Sequence, residues 1–460
     1  MFLSCSRSEL VMNIHCLFQR CVVIAFLLSA VVSGSSSFEL FCMGYGILTT
    51  IAGSGAEDND DANLWIPAYE GGAAVSAQLS GPHMAMADGA GNVFIADKDA
   101  HAIRKVDPAG VITTVAGTNV AGNGGEGRAT ELPLDHPNGV WVNKQGTFYI
   151  LDLNNNKIRR VDTEGNMTTV IHDPDGISLG RGLWVSAQED TIWYASGTHI
   201  HQWTAAGGNS VFAEGFSALG NIVQDRDGFL VATDRSANRV YRMDRNGAKN
   251  VIAGNGSADE GVEGMAAVET PLHGVRGVWF LEDNSYFLAT HEGSNIWYVD
   301  VAGIAHRFLA GREGDEYHSG DNEPFGTPGD KVSEVRAVTV DYGGNVLVTE
   351  NDRGFVRKIV KTTSVEQWRR HGGANASSVR LSNLPCGITV VRLVSARLGA
   401  ISVNIHDEKG RSMNMAPVCR IVDGCTEISW RNTDLPSGCY VFNILERGVR
   451  LSGGRFIVVR

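Results

Sequence analysis

A short pattern of strands and turns recurs along this chain and limits what it can fold into. Residues 92–117 read NVFIADKDAHAIRKVDPAGVITTVAG, three apolar runs separated by turn-forming residues. Further copies of this pattern occupy residues 147–171, 191–215, 229–254, 285–311 and 345–361. Another apolar run precedes each copy, at residues 83–87, 138–142, 181–185, 220–223, 276–280 and 336–340. Six copies of a four-stranded unit predict an all-β fold, a six-bladed β-propeller.

The two ends of the repeat region bear on how the ring closes. Residues 47–53, ILTTIAG, have the pattern of an outer strand with no unit before them. The sixth copy has three clear strands and only a weak continuation at residues 362–368. Because an open sheet edge invites pairing with other chains, we expect residues 47–53 to complete the sixth blade. Residues 362–368 are the alternative.

The rest of the chain divides into three further segments. Arg20, an apolar run over residues 22–32 and small residues over 33–37 predict a signal peptide over residues 1–37. That run is too short for a permanent transmembrane anchor. The propeller is then predicted over residues 38–361 and a linker over 362–377. Alternating apolar residues over 378–460 predict a small immunoglobulin-like β-sandwich.

Charge and cysteine usage narrow the possible partners. The formal charge of −12 argues against a nucleic-acid partner, which would need a basic face. The predicted propeller strands contain no cysteine, whereas the last domain holds Cys386, Cys419, Cys425 and Cys439. In an exported chain these predict two disulfides, for which three connectivities exist. Of these, our prediction is Cys386–Cys439 with Cys419–Cys425. A zinc site is the alternative for the four cysteines, but its typical CxxC or paired-histidine spacings are lacking.

The repeat also carries a family resemblance. A Gly-Asn turn followed by VFIAD, a polar corner, IRKVD and ITTVAG resembles NHL repeats, particularly those of bacterial exported proteins. The resemblance implies the propeller fold but leaves function open, since such propellers include enzymes, RNA binders and protein-binding scaffolds.

The last domain carries a second resemblance. It contains DEKGR at residues 407–411, LPSGCY at 435–440 and a terminal Arg460. These phrases are similar to the C-terminal sorting domain of type IX secretion substrates. The resemblance implies a Gram-negative source, secretion or attachment to the outer cell surface, and the secretion machinery as a partner. An ordinary immunoglobulin-like adhesion module is the alternative.

Two rings of residues follow from aligning the repeats. The first position of the inner strands, all on one face of a propeller, holds His83, Asn138, Arg181, Gly220, Arg276 and Arg336. The corner after the second strand, on the same face, holds Asp97, Asp152, Ser196, Asp234, Thr290 and Glu350. The four carboxylates among these residues predict an acidic outer ring. Two arginines about 8 Å apart repel by roughly 2 kcal/mol at an effective dielectric near 20, so something must offset their charge.

Two interpretations of the arginines remain open. In the structural one, each arginine pairs with a neighbouring corner carboxylate and joins adjacent blades. In the functional one, the guanidinium groups form a central mouth that binds an anion or a carboxylate.

An enzyme is the alternative to a binding module. Related propellers include a lyase that acts on peptides and lactonase-like hydrolases, both holding a metal such as Zn or Ca in the central channel. His83 lies at the ring position, but His136 and His273 lie two and three residues before their ring positions. We therefore expect no cofactor and a monomeric binding module for a protein, a peptide or a small anionic ligand.

Overall fold

The computed structural model describes residues 45–55, 62–178, 180–311, 320–325 and 330–361, and the backbone of eight strands beyond residue 378. The predicted signal peptide and linker lie outside the described residues. The chain divides into two compact units, and residues Gly46–Lys361 make up the larger one. The described residues include no helix long and apolar enough to cross a membrane.

Six mainly antiparallel sheets form the larger unit, which is the six-bladed β-propeller that the repeats predict. Strand β1 (Tyr45–Ala52) comes first among the described strands. The first blade contains β2 (Pro82–Ala87), β3 (Val93–Asp97), β4 (Ala102–Val106) and β5 (Ile112–Ala116). The second contains β6 (Gly127–Arg128), β7 (Pro137–Val142), β8 (Phe148–Asp152), β9 (Lys157–Val161) and β10 (Asn166–His172). The third contains β11 (Leu183–Val185), β12 (Thr191–Ser196), β13 (His199–Thr204) and β14 (Gly208–Ala213).

The other three blades follow the same order. The fourth contains β15 (Leu219–Gln224), β16 (Leu230–Asp234), β17 (Arg239–Met243) and β18 (Lys249–Ala253). The fifth contains β19 (Met265–Ala266), β20 (Val275–Phe280), β21 (Tyr286–Thr290), β22 (Asn295–Val299) and β23 (Ile304–Gly311). The sixth contains β24 (Glu323–Pro324), β26 (Val335–Val340), β27 (Val346–Glu350) and β28 (Phe355–Lys361), while β25 (Lys331–Val332) pairs with β23. Short 3-10 helices lie at Pro67–Tyr69, Ala74–Ser76, Ala129–Glu131, Leu153–Asn155 and Ala267–Glu269.

The strand that contains residues 47–52 completes the sixth blade, as the sequence predicts. The sixth sheet has the strand order β24-β1-β28-β27-β26, so the first described strand lies beside the last strand of the propeller. Leu48 on β1 is fully buried in this sheet. The start of the repeat region therefore supplies an outer strand of the sixth blade, and the inner strand β26 of that blade packs against β2 of the first.

The second strand of a blade shows why these sequences are so apolar. All five residues are buried in each of β3, β8, β16, β21 and β27. Both faces of such a strand are covered by neighbouring blades, so its sequence is a nearly continuous apolar run that ends in one polar corner residue.

The inner strands carry a β-bulge near their start. The pairing register of β2, β7, β20 and β26 shifts between their first and third residues. The skipped residues are His83, Asn138, Arg276 and Arg336. A bulged residue is unpaired and its side chain is redirected, which sets these four apart from the residues that alternate along the rest of the strand.

The C-terminal unit contains two four-stranded antiparallel sheets. The first has the order β29-β30-β34-β33, from Val379–Leu384, Ile388–Leu393, Cys425–Arg431 and Val418–Val422. The second has the order β32-β31-β35-β36, from Ser412–Met413, Ile401–Asp407, Gly438–Glu446 and Val449–Val458. The strand content matches the predicted β domain, while its immunoglobulin-like sandwich packing and its sorting role stay predictions.

The backbone register bears on the predicted disulfides. Cys419 on β33 lies opposite Ile428, and Cys425 on β34 lies opposite Val422. The two cysteines are therefore offset by three residues, about 10 Å along the strands, whereas a disulfide needs Cα atoms within about 7 Å. The register does not support the Cys419–Cys425 pair. Cys386 lies outside the described residues, and Cys386–Cys439 stays a prediction.

Candidate functional site

The ring positions meet in one pocket at the centre of the propeller. Its space, including the part open to solvent, is about 270 Å³. The lining residues are His83, Met84, Asn138, Arg181, Gly220, Asn221, Arg276 and Arg336. All six positions that sequence alignment placed at one level are among them, and we call this pocket the central mouth. Their role in binding stays a prediction.

Local backbone geometry places these side chains. Four of them are the bulged residues of the inner strands, and Arg181 lies just before the short strand β11. Gly220 supplies no side chain in the fourth blade, because a Cβ there would lie 2.3 Å from Thr233 Oγ1 and 2.7 Å from the Arg276 carbonyl oxygen. The close approach of the fourth and fifth inner strands thus excludes a side chain at the ring position of the fourth blade.

Three tryptophans contact one another further along the inner strands. Trp141, Trp184 and Trp279 each lie three residues after the ring position of their strands. Their ring centroids are 6.2 Å apart for Trp141 and Trp184 and 5.9 Å apart for Trp184 and Trp279. Because blades three and five flank blade four, the second contact passes in front of the inner strand of blade four. The aromatic rings therefore join three of the inner strands below the central mouth.

The arginines of the central mouth have weak counter-charges. Arg276 Nη2 lies 3.6 Å from Glu292 Oε1, and Arg336 Nη2 lies 3.7 Å from Glu334 Oε2. Both carboxylates also face His291, at 3.5 and 3.3 Å. Buried guanidinium nitrogens without a hydrogen-bond partner among the described residues are Arg181 Nη1, Arg276 Nε, Arg276 Nη1 and Arg336 Nε.

This shortage of partners is reflected in the acid–base properties of the arginines. Burial, followed by the charges of Arg181 and Arg235, lowers the pKa of Arg336 to about 9. Burial, followed by Arg235, lowers the pKa of Arg181 to about 10. Arg181 and Arg336 therefore remain protonated at neutral pH. The mouth therefore concentrates positive charge with open donors, in a chain whose formal charge is −12.

The corner residues have a different role from the one predicted. Asp97, Asp152, Asp234 and Glu350 are almost fully buried and do not form an outer acidic ring that offsets the ring arginines. Each accepts a hydrogen bond from a backbone N–H just before the inner strand of its own blade, from Ser80, Asp135, Ser217 and Ser333 respectively. Ser196 accepts the equivalent bond from the N–H of Ser178 in the third blade.

Arginines on the third strands of the first, second and sixth blades pair with the corner carboxylates of those blades. Arg104 Nε lies 2.9 Å from Asp97 Oδ2, and Arg159 and Arg357 lie 3.8 and 3.6 Å from Asp152 and Glu350. Burial is the main cause that raises the pKa of Asp152 to about 6 and that of Glu350 to about 8. In the structural interpretation, the corner carboxylates were expected to pair with the arginines of the ring positions. Three of these carboxylates pair instead with arginines of the third strands.

A further set of corner residues joins adjacent blades, and alignment of the repeats had not singled it out. His101, Asn156, Asn238 and Ser294 all have a positive φ between 50° and 55°. Their side chains accept hydrogen bonds from the next blade, from the backbone N–H groups of His136, Ile177, Gly274 and Glu334. The recurring asparagine before the third strand was the available signal, because asparagine tolerates this left-handed conformation.

One group of side chains in the described residues has the composition of a metal site. His101, Asp135 and His136 offer ligand atoms within 4.8 Å of one another. However, His101 Nδ1 accepts the N–H of His136, and His136 Nδ1 lies 2.6 Å from Asp135 Oδ1. These atoms are already used in the contact between the first two blades, so we interpret the group as part of that contact.

Comparisons with known proteins support the fold. No protein-family model matches the chain, and no curated protein matches it. A protein of unknown function from Bacteroides thetaiotaomicron VPI-5482 is similar in structure, with 15% identity, coverage of 68% of this chain and 76% of that chain, and a TM-score of 0.54. An auxiliary nutrient binding protein from the same organism has 13% identity, the same coverages and a TM-score of 0.53. At such identities the likeness shows the propeller fold alone.

A streptogramin B lyase has 14% identity, coverage of 69% of this chain and 99% of that chain, and a TM-score of 0.44. This score is too low to support an inference about mechanism. The NHL-repeat label itself stays a prediction.

Proposed function

We propose that this propeller is a binding module whose central mouth takes the carboxylate of a small ligand or peptide. The observation that carries the proposal is the convergence of Arg181, Arg276 and Arg336 on one pocket with guanidinium N–H groups left unpaired. Arg276 is only 4% exposed, so its open donors are buried rather than solvated. A buried charged donor without a partner is costly, and a bound carboxylate would remove that cost through charge-assisted hydrogen bonds.

The structural alternative for these arginines is weakened by the same geometry. The corner carboxylates that were expected to neutralise them are engaged by Arg104, Arg159 and Arg357 instead. The carboxylates of Glu292 and Glu334 lie 3.6 and 3.7 Å from the nearest nitrogens of the mouth arginines. Both carboxylates also face the imidazole of His291. They reduce the positive charge of the mouth without satisfying its donors.

A metal-dependent lyase or lactonase finds less support in the pocket. Its lining residues include one imidazole, His83, and no carboxylate or thiolate. A catalytic Zn ion takes about three protein ligands, and Ca takes six to eight oxygen ligands, so this lining fits neither ion. The three guanidinium groups would also repel a cation.

Location and attachment belong to the same proposal. The predicted signal peptide over residues 1–37 and the sorting-domain resemblance support export to the cell surface or the medium. The structural likeness to an auxiliary nutrient binding protein supports a ligand-capturing role at such a location. Mass spectrometry of the mature chain, isolated from cell fractions, tests export. A chain that retains residues 1–37 and stays inside the cell would contradict it.

Binding is tested with acetate, succinate and inorganic phosphate titrated into the full chain at constant ionic strength. NMR or calorimetry should show saturable carboxylate binding. The affinity should fall at least about tenfold in Arg276→Met, because a charge-assisted hydrogen bond contributes about 1.5–3 kcal/mol.

The matched control is Arg245→Met, because Arg245 is exposed in the turn between β17 and β18 on the opposite face. That variant should bind as the wild type does. Absence of saturable carboxylate binding, or an equal affinity in Arg276→Met, would overturn the proposal.

A further inference from the structure

The central mouth also presents two acceptors, and they restrict what the ligand can be. The first is His83, which is 8% exposed and whose Nδ1 lies 2.8 Å from the carbonyl oxygen of Gly81. A carbonyl oxygen only accepts, so Nδ1 carries the proton and Nε2 presents a lone pair. Burial, followed by the charges of Arg181 and Arg336, lowers the pKa of His83 well below its ordinary value. The imidazole is therefore a neutral acceptor at physiological pH.

The second acceptor is Asn138, which is 4% exposed. Its Nδ2 donates to the carbonyl oxygen of Gly180 at 2.5 Å, which fixes the orientation of the side-chain amide. Its Oδ1 is buried without a hydrogen-bond partner among the described residues. An unpaired buried acceptor costs about as much as an unpaired donor, so this oxygen also calls for a partner.

The two acceptors are neighbours in the ring, with arginines on both sides of them. His83 and Asn138 come from the adjacent first and second blades, Arg336 from the sixth blade beside the first, and Arg181 precedes the inner strand of the third blade beside the second. Arg276 comes from the fifth blade, which lies opposite the second in a six-membered ring. A ligand in the mouth would therefore place an anionic group against the arginines and a hydrogen-bond donor, close to that group, against His83 and Asn138.

We propose that the ligand is a carboxylate that bears a neutral O–H or N–H donor next to the carboxylate, held by His83 Nε2 and Asn138 Oδ1. This inference rests on the proposed function and adds the ligand class to it. A hydroxycarboxylate and the C-terminal end of a peptide both provide this chemistry. A free amino acid does not, because its ammonium group would lie among three guanidinium groups.

Four probes that share a carboxylate separate these ligands, titrated by NMR into the full chain. Acetate has no donor, glycolate adds a hydroxyl, N-acetylglycine adds an amide N–H, and glycine adds an ammonium group. We expect glycolate or N-acetylglycine to bind about tenfold tighter than acetate, because each satisfies a buried acceptor. Glycine should bind more weakly than either. The tighter of the two shows whether a hydroxy acid or a peptide end is the better fit.

Variants separate this inference from the proposed function. Asn138→Leu should bring the affinity for the preferred probe toward that of acetate, whereas Asn250→Leu, at an exposed residue of β18, should preserve the preference. Equal binding of acetate, glycolate and N-acetylglycine by the wild type, with loss of all three in Arg276→Met, would overturn the donor requirement and leave the carboxylate site standing. No saturable binding of any probe would overturn both proposals.

Discussion

Replacing a mouth arginine should stabilise the propeller while it abolishes ligand binding. We consider Arg336→Met, which removes the charge and retains most of the side-chain volume. Burial, then Arg181 and Arg235, hold the pKa of Arg336 at about 9, compared with an ordinary value above 12. At about 1.4 kcal/mol per pKa unit, this difference bounds the electrostatic cost of the charge at about 5 kcal/mol. Because Glu334 loses a neighbour 3.7 Å away, we expect a net gain of about 1–3 kcal/mol.

Arg104→Met is the matched comparison and should have the opposite sign. Arg104 is fully buried, bonds Asp97 at 2.9 Å and Thr114 at 2.6 Å, and lies 3.5 Å from the ring centre of Trp65. Its removal leaves Asp97 buried without its partner, a change that costs about 3–5 kcal/mol.

Urea unfolding at pH 7, followed by tryptophan fluorescence and fitted with equal m-values, measures both variants. Repeating the measurement with a bound carboxylate should raise the midpoint of the wild type and not that of Arg336→Met. If Arg336→Met instead destabilised the protein by as much as Arg104→Met, the mouth arginines would be structural and our reasoning would be refuted.

Three further predictions concern the scaffold. Leu48→Ala on β1 should cost about 2–5 kcal/mol in urea unfolding, against less than about 1 kcal/mol for Val251→Ala, an exposed control; equal costs would contradict closure by β1. Gly220→Ala should cost about 1–3 kcal/mol and weaken carboxylate binding, because its Cβ would lie 2.7 Å from the Arg276 carbonyl oxygen; unchanged stability and affinity would contradict this close approach. The raised pKa of Asp152, about 6, stabilises the fold below about pH 4, and this contribution is lost as pH rises through 6. Relative to Asp152→Asn, the wild type should therefore lose about 3 kcal/mol between pH 3.5 and 7 in urea unfolding, and parallel pH profiles would contradict this.

The number of blades, their closure and the membership of the mouth were predictable from the sequence. Each repeat has the same order of strands and turns, so aligning the repeats also aligns their positions relative to the ring axis. That alignment sufficed to bring His83 and Arg336, 253 residues apart, into one pocket. Closure by residues 47–53 followed because an unpaired outer strand at one end matches a missing one at the other.

What the mouth residues do there was decided by the tertiary structure. The β-bulges that redirect His83, Asn138 and Arg276 arise from backbone pairing between strands, which the side-chain pattern does not encode. The partner of Asp97 was equally hidden, because a buried carboxylate bonds whichever cation shares its enclosed space. Only the fold shows that Arg104 fills that space and leaves the arginines of the mouth with open donors.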